Sequence, residues 1–179
     1  MQFCAIILII SSLQTPTSST QKTSIGLTGG VLLQLSDDES EAWPTFGSVM
    51  EFSMPGLNSF AVCGNTRISW YNDKLYGLCL RNITVVLGSK YTKRLPELSM
   101  GFYIGGGPGV HLYNWEKKEG NKGDNWVGFH LFTGIERYFL NSKICCFSEI
   151  DYGKEIGKKE KFPGFGDLSQ FVFSVGIRF

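Results

Sequence analysis

No stretch of this 179-residue chain is long and apolar enough to cross a membrane as a helix. The longest apolar run, F-C-A-I-I-L-I-I at Phe3–Ile10, falls far short of the ~20 residues such a span needs. Charge of a single sign is missing too. Lys+Arg 17 against Asp+Glu 16 leaves a net charge of +1, which removes the electrostatic case for nucleic acid. Charged residues are only 18% of the chain, and no segment repeats its apolar residues at a helical period. The glycine run G101-F-Y-I-G-G-G-P-G-V-H111 lacks the G-x-x-x-x-G-K-[ST] of a phosphate loop, and no helical segment opens after it. None of the cysteines has zinc-ligand spacing with His111 or His130, so neither metal nor cofactor is expected.

What the chain does have is Gly 22 and 14% aromatics, a composition of strands and turns. Its mean hydropathy of −0.02 fits strands whose oily and polar faces average out. Eight alternating segments can be marked: Ser24–Leu35, Thr45–Met54, Ser59–Tyr71, Leu75–Leu87, Leu98–Gly107, Trp126–Tyr138, Lys143–Tyr152 and Leu168–Phe179. Most approach the ~9–11 residues with which a tilted strand crosses a bilayer. Turn-formers such as P-G-L-N at Pro55–Asn58 and L-N-S-K at Leu140–Lys143 separate some of them, and long charged connectors follow the first, fifth and seventh. The stretch S-K-Y-T-K-R-L-P-E after the fourth segment reads as an irregular connector. Residues 1–20 read as a signal peptide, an apolar core with a small polar tail but no positive charge ahead of it. Residues 21–179 then form one barrel domain. Cys63 and Cys79 fall within strands, and the neighbours Cys145 and Cys146 point to opposite faces; buried thiols are expected, with no disulfide pairing specified.

Eight strands can close into a soluble, ligand-holding barrel or a membrane one, and the two differ in which side of each strand is apolar. In the last segment Phe171, Phe173, Val175, Ile177 and Phe179 share one face, while Val172, Ser174, Gly176 and Arg178 share the other. A water-exposed polar face would carry many Lys and Glu. Here the charges within strands are Glu51, Arg67, Arg81, Glu136, Glu149, Asp151 and Arg178, set among Gly, Ser, Asn and Cys. Together with His130 they read as the paired polar network of a narrow lumen, which turns the oily faces toward lipid. The predicted fold is therefore all-β: a closed antiparallel up-and-down transmembrane β-barrel of eight strands. Trp43, Trp70, Trp115 and Trp126 fall near the loop ends of their strands and are assigned to an aromatic belt at the membrane surface. Arg137 alone interrupts an oily face, near a strand end where its stem can reach the headgroups. In the glycine run Gly101, Gly105, Gly107 and Gly109 face inward and leave room for the side chains opposite, and strand pairing is expected to end or bulge at Pro108.

From Ser24 to the terminus F-V-F-S-V-G-I-R-F, the chain resembles the small outer-membrane β-barrel proteins of Gram-negative bacteria, the OmpA/OmpX-like family. The cysteines and the uncharged start depart from that pattern. The resemblance implies a monomer in the outer membrane, in contact with its lipid. It also implies that the barrel-insertion machinery recognises the alternating end Phe171, Phe173, Val175, Ile177 and Phe179 during assembly. Some barrels of this size modify lipid A. The outer-membrane deacylases carry His and Ser two residues apart on a strand, whereas this chain reads H111-L-Y and H130-L-F. Glu149 and Asp151 share a face and could pair as acids, but the lumen arginines are the simpler partners. A non-enzymatic role in envelope structure, or in binding an unidentified surface ligand through the loops, is expected. The alternatives are a narrow pore for ions or a small apolar solute, and a soluble exported barrel that holds a ligand.

Overall fold

The structure is a computed structural model that describes residues 23–35, 40–53, 57, 59–73, 78–117, 120–139, 143–156 and 169–179. Residues 1–22, with the expected signal peptide, lie outside them. Among the described residues eight strands form one closed, up-and-down antiparallel barrel. They are β1 (Thr23–Leu35), β2 (Ser40–Ser53), β3 (Phe60–Asp73), β4 (Leu78–Leu95), β5 (Met100–Lys117), β6 (Gly120–Phe139), β7 (Ile144–Ile156) and β8 (Ser169–Arg178). Closure comes from β1 against β8, with Gly26 opposite Arg178 and Leu35 opposite Ser169. Reciprocal backbone bonds between Ile25 and Phe179 extend that seam by one residue. No backbone edge is left in the sheet, the condition for strands to sit in lipid. The β2–β3, β4–β5 and β6–β7 connections define a turn end, which also holds the start of β1 and the end of β8; the opposite end is the loop end.

Several strands run longer than the sequence expectation, β2 starting at Ser40, β6 at Gly120 and β7 reaching Ile156, and two others depart in kind. The lysine-bearing stretch after residue 87 is not a connector: β4 runs on to Leu95, and Ser89 to Leu95 pair with β5 down to Met100. The period of two simply continues, with Val86, Lys90 and Thr92 inward and Leu87, Ser89 and Tyr91 outward. The chain then turns through a short 3-10 segment at Pro96–Leu98, with Ser99 in the left-handed region at φ 51. The second departure is at Pro108. β5 neither stops nor bulges there but continues to Lys117, with Pro108 opposite Phe129 of β6. Pairing with β4 lapses between Val86↔Gly109 and Ser89↔Gly106 and resumes in the same register. The missing proline N–H thus costs a local gap in one ladder, while the other ladder holds the strand in place. The charged segment around Glu116 is also strand, because β5 and β6 stay paired out to Lys117↔Gly120.

The outer face is oily. Leu27, Phe46, Ile104, Leu131, Val175 and Phe179 are all exposed there. Among the described residues the outward charges are Arg81 and Lys154 toward the loop end and Lys93 and Arg137 toward the turn end. On β4 the two cations bracket residues 82–92, about the length a tilted strand needs to cross the hydrocarbon.

Candidate functional site: the filled lumen

Alternation sends Glu51, Arg67, His130, Glu136, Glu149, Asp151 and Arg178 inward, and all but Glu51 are nearly or fully buried. They meet in two groups. Near the turn end Lys90 Nζ lies 2.5 Å from Glu51 Oε2 and 3.1 Å from Glu136 Oε2. Arg178 bonds the same two carboxylates, closing a ring of alternating charge. The Tyr138 hydroxyl donates to Glu136, and Arg178 Nη2 reaches Cys145 Sγ at 3.3 Å. Aromatic faces hold the cations from the side: Lys90 sits 4.5 Å from the Tyr103 ring centre and Arg178 5.2 Å from that of Phe147.

Further along, Arg67 pairs with Asp151, whose Oδ1 lies 3.0 Å from His130 Nδ1. The Nε2 atoms of His130 and His111 are 3.1 Å apart, and His111 Nδ1 is 3.2 Å from the Thr84 hydroxyl. Where the Asp151 carboxylate accepts from His130 Nδ1–H, one consistent pattern follows: His130 Nε2 accepts from His111 Nε2–H, and His111 Nδ1 accepts from the Thr84 hydroxyl. The Tyr103 hydroxyl donates to Glu149 at 3.0 Å. Between the two groups a cavity of about 20 Å³ is lined by Asn65, Arg67, Lys90, Tyr103 and Glu149 among others. That is room for one water, not for a solute.

Toward the loop end the chemistry changes. Leu32, Trp43, Leu80, Tyr113 and Val172 pack as a buried cluster, with Tyr71 and Trp126 against it. Trp43 is stacked on Tyr71 at 5.6 Å, and His111 on Tyr113 at 6.2 Å, which joins this cluster to the histidine pair.

Two sequence assignments need correction. Arg81 is exposed and points outward, because it shares the parity of Ile83, Val85 and Leu87; its inward neighbours are Leu80 and Asn82. The cation that β4 contributes to the lumen is Lys90. The tryptophans do not form one belt. Trp43, 1% exposed, and Trp126 turn into the barrel, since they share the faces of Thr45 and His130; only height along the strand, not face, had placed them at the surface. Trp70 does face outward, stacked on Phe46 at 5.7 Å. The Trp115 side chain lies outside what the structure describes. Phe171, Phe173, Val175, Ile177 and Phe179 form one outward row, with Val172, Ser174 and Arg178 buried between them.

Lys90, His111 and Thr84 were missed. Part of the signal was present: in N82-I-T84-V-V-L-G-S-K90-Y-T92 the inward places hold Asn82, Thr84, Lys90 and Thr92 and the outward ones Ile83, Val85, Leu87 and Tyr91, with Val86 and Ser89 breaking the pattern. His111 continues the inward parity of Gly101–Gly109. The glycines do make a thin wall. A Cβ on Gly105 would strike the Phe132 ring, and one on Gly109 would lie 2.6 Å from the His130 ring. Four described cysteines are free thiols; Cys63 and Cys145 are buried, Cys79 is half-buried and Cys146 is exposed on the outer face.

The fold is that of the small closed outer-membrane barrels. Neisserial surface protein A has a TM-score of 0.67 at 13% identity, over 87% of this chain and 95% of that one. The attachment invasion locus protein Ail of Yersinia pestis, in complex with the heparin analogue sucrose octasulfate, scores 0.62 at 12% identity, over 89% and 99%. The N-terminal β-barrel domain of Pseudomonas aeruginosa OprF scores 0.55 at 11%, over 89% and 100%. No family model and no curated protein matches the sequence.

Proposed function

We propose that the chain is an integral outer-membrane β-barrel protein of a Gram-negative bacterium, without enzymatic activity, whose filled lumen is structural and whose loop end serves envelope structure or surface contact. The observation that carries this reading is the inversion of faces. Charged groups are buried and paired inside, while large apolar side chains cover the outside, the reverse of a soluble barrel. In water that outer surface would be an aggregation liability far beyond the apolar patches monomers tolerate.

The arrangement of the lumen argues against the pore reading. Between the charge ring at one end and the aromatic cluster at the other, the cavity of about 20 Å³ has room for about one water. It argues against catalysis as well. Asp151, His130, His111 and Thr84 follow the order acid, imidazole, imidazole, hydroxyl, yet both histidines are 0% exposed and Thr84 is 2% exposed. A substrate has no way to the hydroxyl. What remains available for contact is the loop end; the lysine-rich connector expected at 153–167 is β7 strand as far as Ile156, and its remainder lies outside the described residues.

Fractionation tests the reading. The protein is expected with the outer membrane, and to migrate faster on a denaturing gel before boiling than after. Recovery in the aqueous phase without detergent would refute it and favour the soluble ligand-holding barrel.

A further inference from the structure

The outward cations at the turn end remain unexplained by a structural barrel. Lys93 lies opposite Phe102 of β5, and Arg137 lies opposite Met100 of the same strand from its other side. The two therefore face each other diagonally across β5, about 12 Å apart at the Cα level by ideal sheet spacing. Both are exposed, and neither makes an ion pair among the described residues. The outward positions around them are Tyr91, Leu95, Met100, Phe102, Ile135, Phe139 and Cys146, none of them acidic. Glu136 and Glu51 at this end face the lumen and are taken up by Lys90 and Arg178, which leaves Glu97, in the turn itself, as the described acid outside the barrel. Arg137 is steadied by the exposed Phe139 ring, 5.4 Å from its guanidinium carbon. Phe60 and Tyr91, 5.1 Å apart, supply further exposed rings close by, the aromatic dressing of a headgroup level.

We propose that Lys93 and Arg137 form a lipid-facing clamp for the phosphate of an anionic glycerophospholipid seated across β5 at Met100–Phe102. The proposal rests on the membrane reading given above. A cation on a lipid-facing wall has two favourable outcomes: its stem carries it out to water, or a lipid brings it an anion. Two cations flanking one strand, with no outward carboxylate among the described residues around them, favour the second. The end away from the long 157–168 connection and the extended β5–β6 hairpin faces the periplasm in such a barrel, so the headgroups in reach are those of the periplasmic leaflet. The acyl chains of the same lipid would lie along Phe102, Ile104 and Ile135, which are exposed in line with the clamp.

The test is native mass spectrometry of the full chain released from mixed micelles of phosphatidylglycerol and phosphatidylcholine, after confirming the gel shift of the folded barrel. Phosphatidylglycerol should be retained in preference. Lys93→Gln with Arg137→Gln should lose that preference, by about fivefold per cation removed. Arg81→Gln, at the opposite end, should keep it. Equal retention of both lipids by the wild type, or an undiminished preference in the double variant, overturns the clamp while the shifted band leaves the membrane reading standing. A wild type without a gel shift overturns both.

Discussion

At the turn end the lumen is closed by two carboxylates and two cations, whereas at the loop end it is closed by Leu32, Trp43, Leu80, Tyr113 and Val172. Both ends exclude solvent from the same narrow tube, and they do so by different physics. The ion ring is directional. Each charge has two partners, and each depends on the others to offset the cost of leaving water. The aromatic cluster is non-directional and is stabilised by area and contact, so a loss there leaves a void and no stranded charge. The ring should therefore be brittle and the cluster tolerant.

Removing one member of the ring separates these behaviours most strongly. Glu136 holds Lys90, Arg178 and the Tyr138 hydroxyl at once. Glu136→Ala is expected to cost about 3–5 kcal/mol, the range for leaving a buried charge without its partner. Glu136→Gln should cost nearly as much, because it keeps the shape and removes the charge. Urea unfolding in lipid vesicles measures both; a glutamine variant as stable as the wild type would mean that packing, not charge, holds the turn end.

The cluster should respond differently to the same pair of experiments. Trp43→Ala is expected to cost about 3 kcal/mol through the cavity it leaves. Trp43→Phe keeps an aromatic face for Tyr71 and should cost under about 1.5 kcal/mol. Conservative replacement thus rescues the loop end and not the turn end. If Phe and Ala destabilise equally in the same unfolding assay, the cluster is as specific as the ring and the contrast fails.

Much of this architecture is legible in the sequence. Alternation is a local property, so strand number, closure and the inward set Glu51, Arg67, His130, Glu136, Glu149, Asp151 and Arg178 followed from parity. What escaped was decided by neighbours distant in sequence. Lys90 reads as a connector residue until one sees that Glu51 and Glu136, on other strands, are there to receive it. His111 reads as a loop histidine until β6 is found paired along all of β5. Pro108 reads as a stop because one ladder's loss is visible in sequence, while the other ladder's support is not. Trp43 and Trp126 were misplaced for another reason: tryptophan prefers an interface, but it also fills a barrel interior, and face parity outweighed residue preference at both positions.

The parity argument is sharpest at two adjacent residues, where the expected effects are small but opposite to what residue type alone would rank. Arg81 is a charged residue at the outer surface beside the Trp70 level, and Asn82, 0% exposed, lies inside within 3.4 Å of the Thr84 hydroxyl. Composition would rank the arginine as the costlier loss. The wall of the barrel reverses that order, because Arg81 sits where its head reaches water or headgroups, whereas Asn82 is enclosed among polar groups that cannot. Asn82→Ala is expected to cost about 1 kcal/mol, and Arg81→Ala to stay within about 0.5 kcal/mol of the wild type. Unfolding both variants in the same vesicles decides the matter. An Arg81→Ala loss larger than that of Asn82→Ala would place the arginine back in the lumen network and put the β4 register in error by one residue.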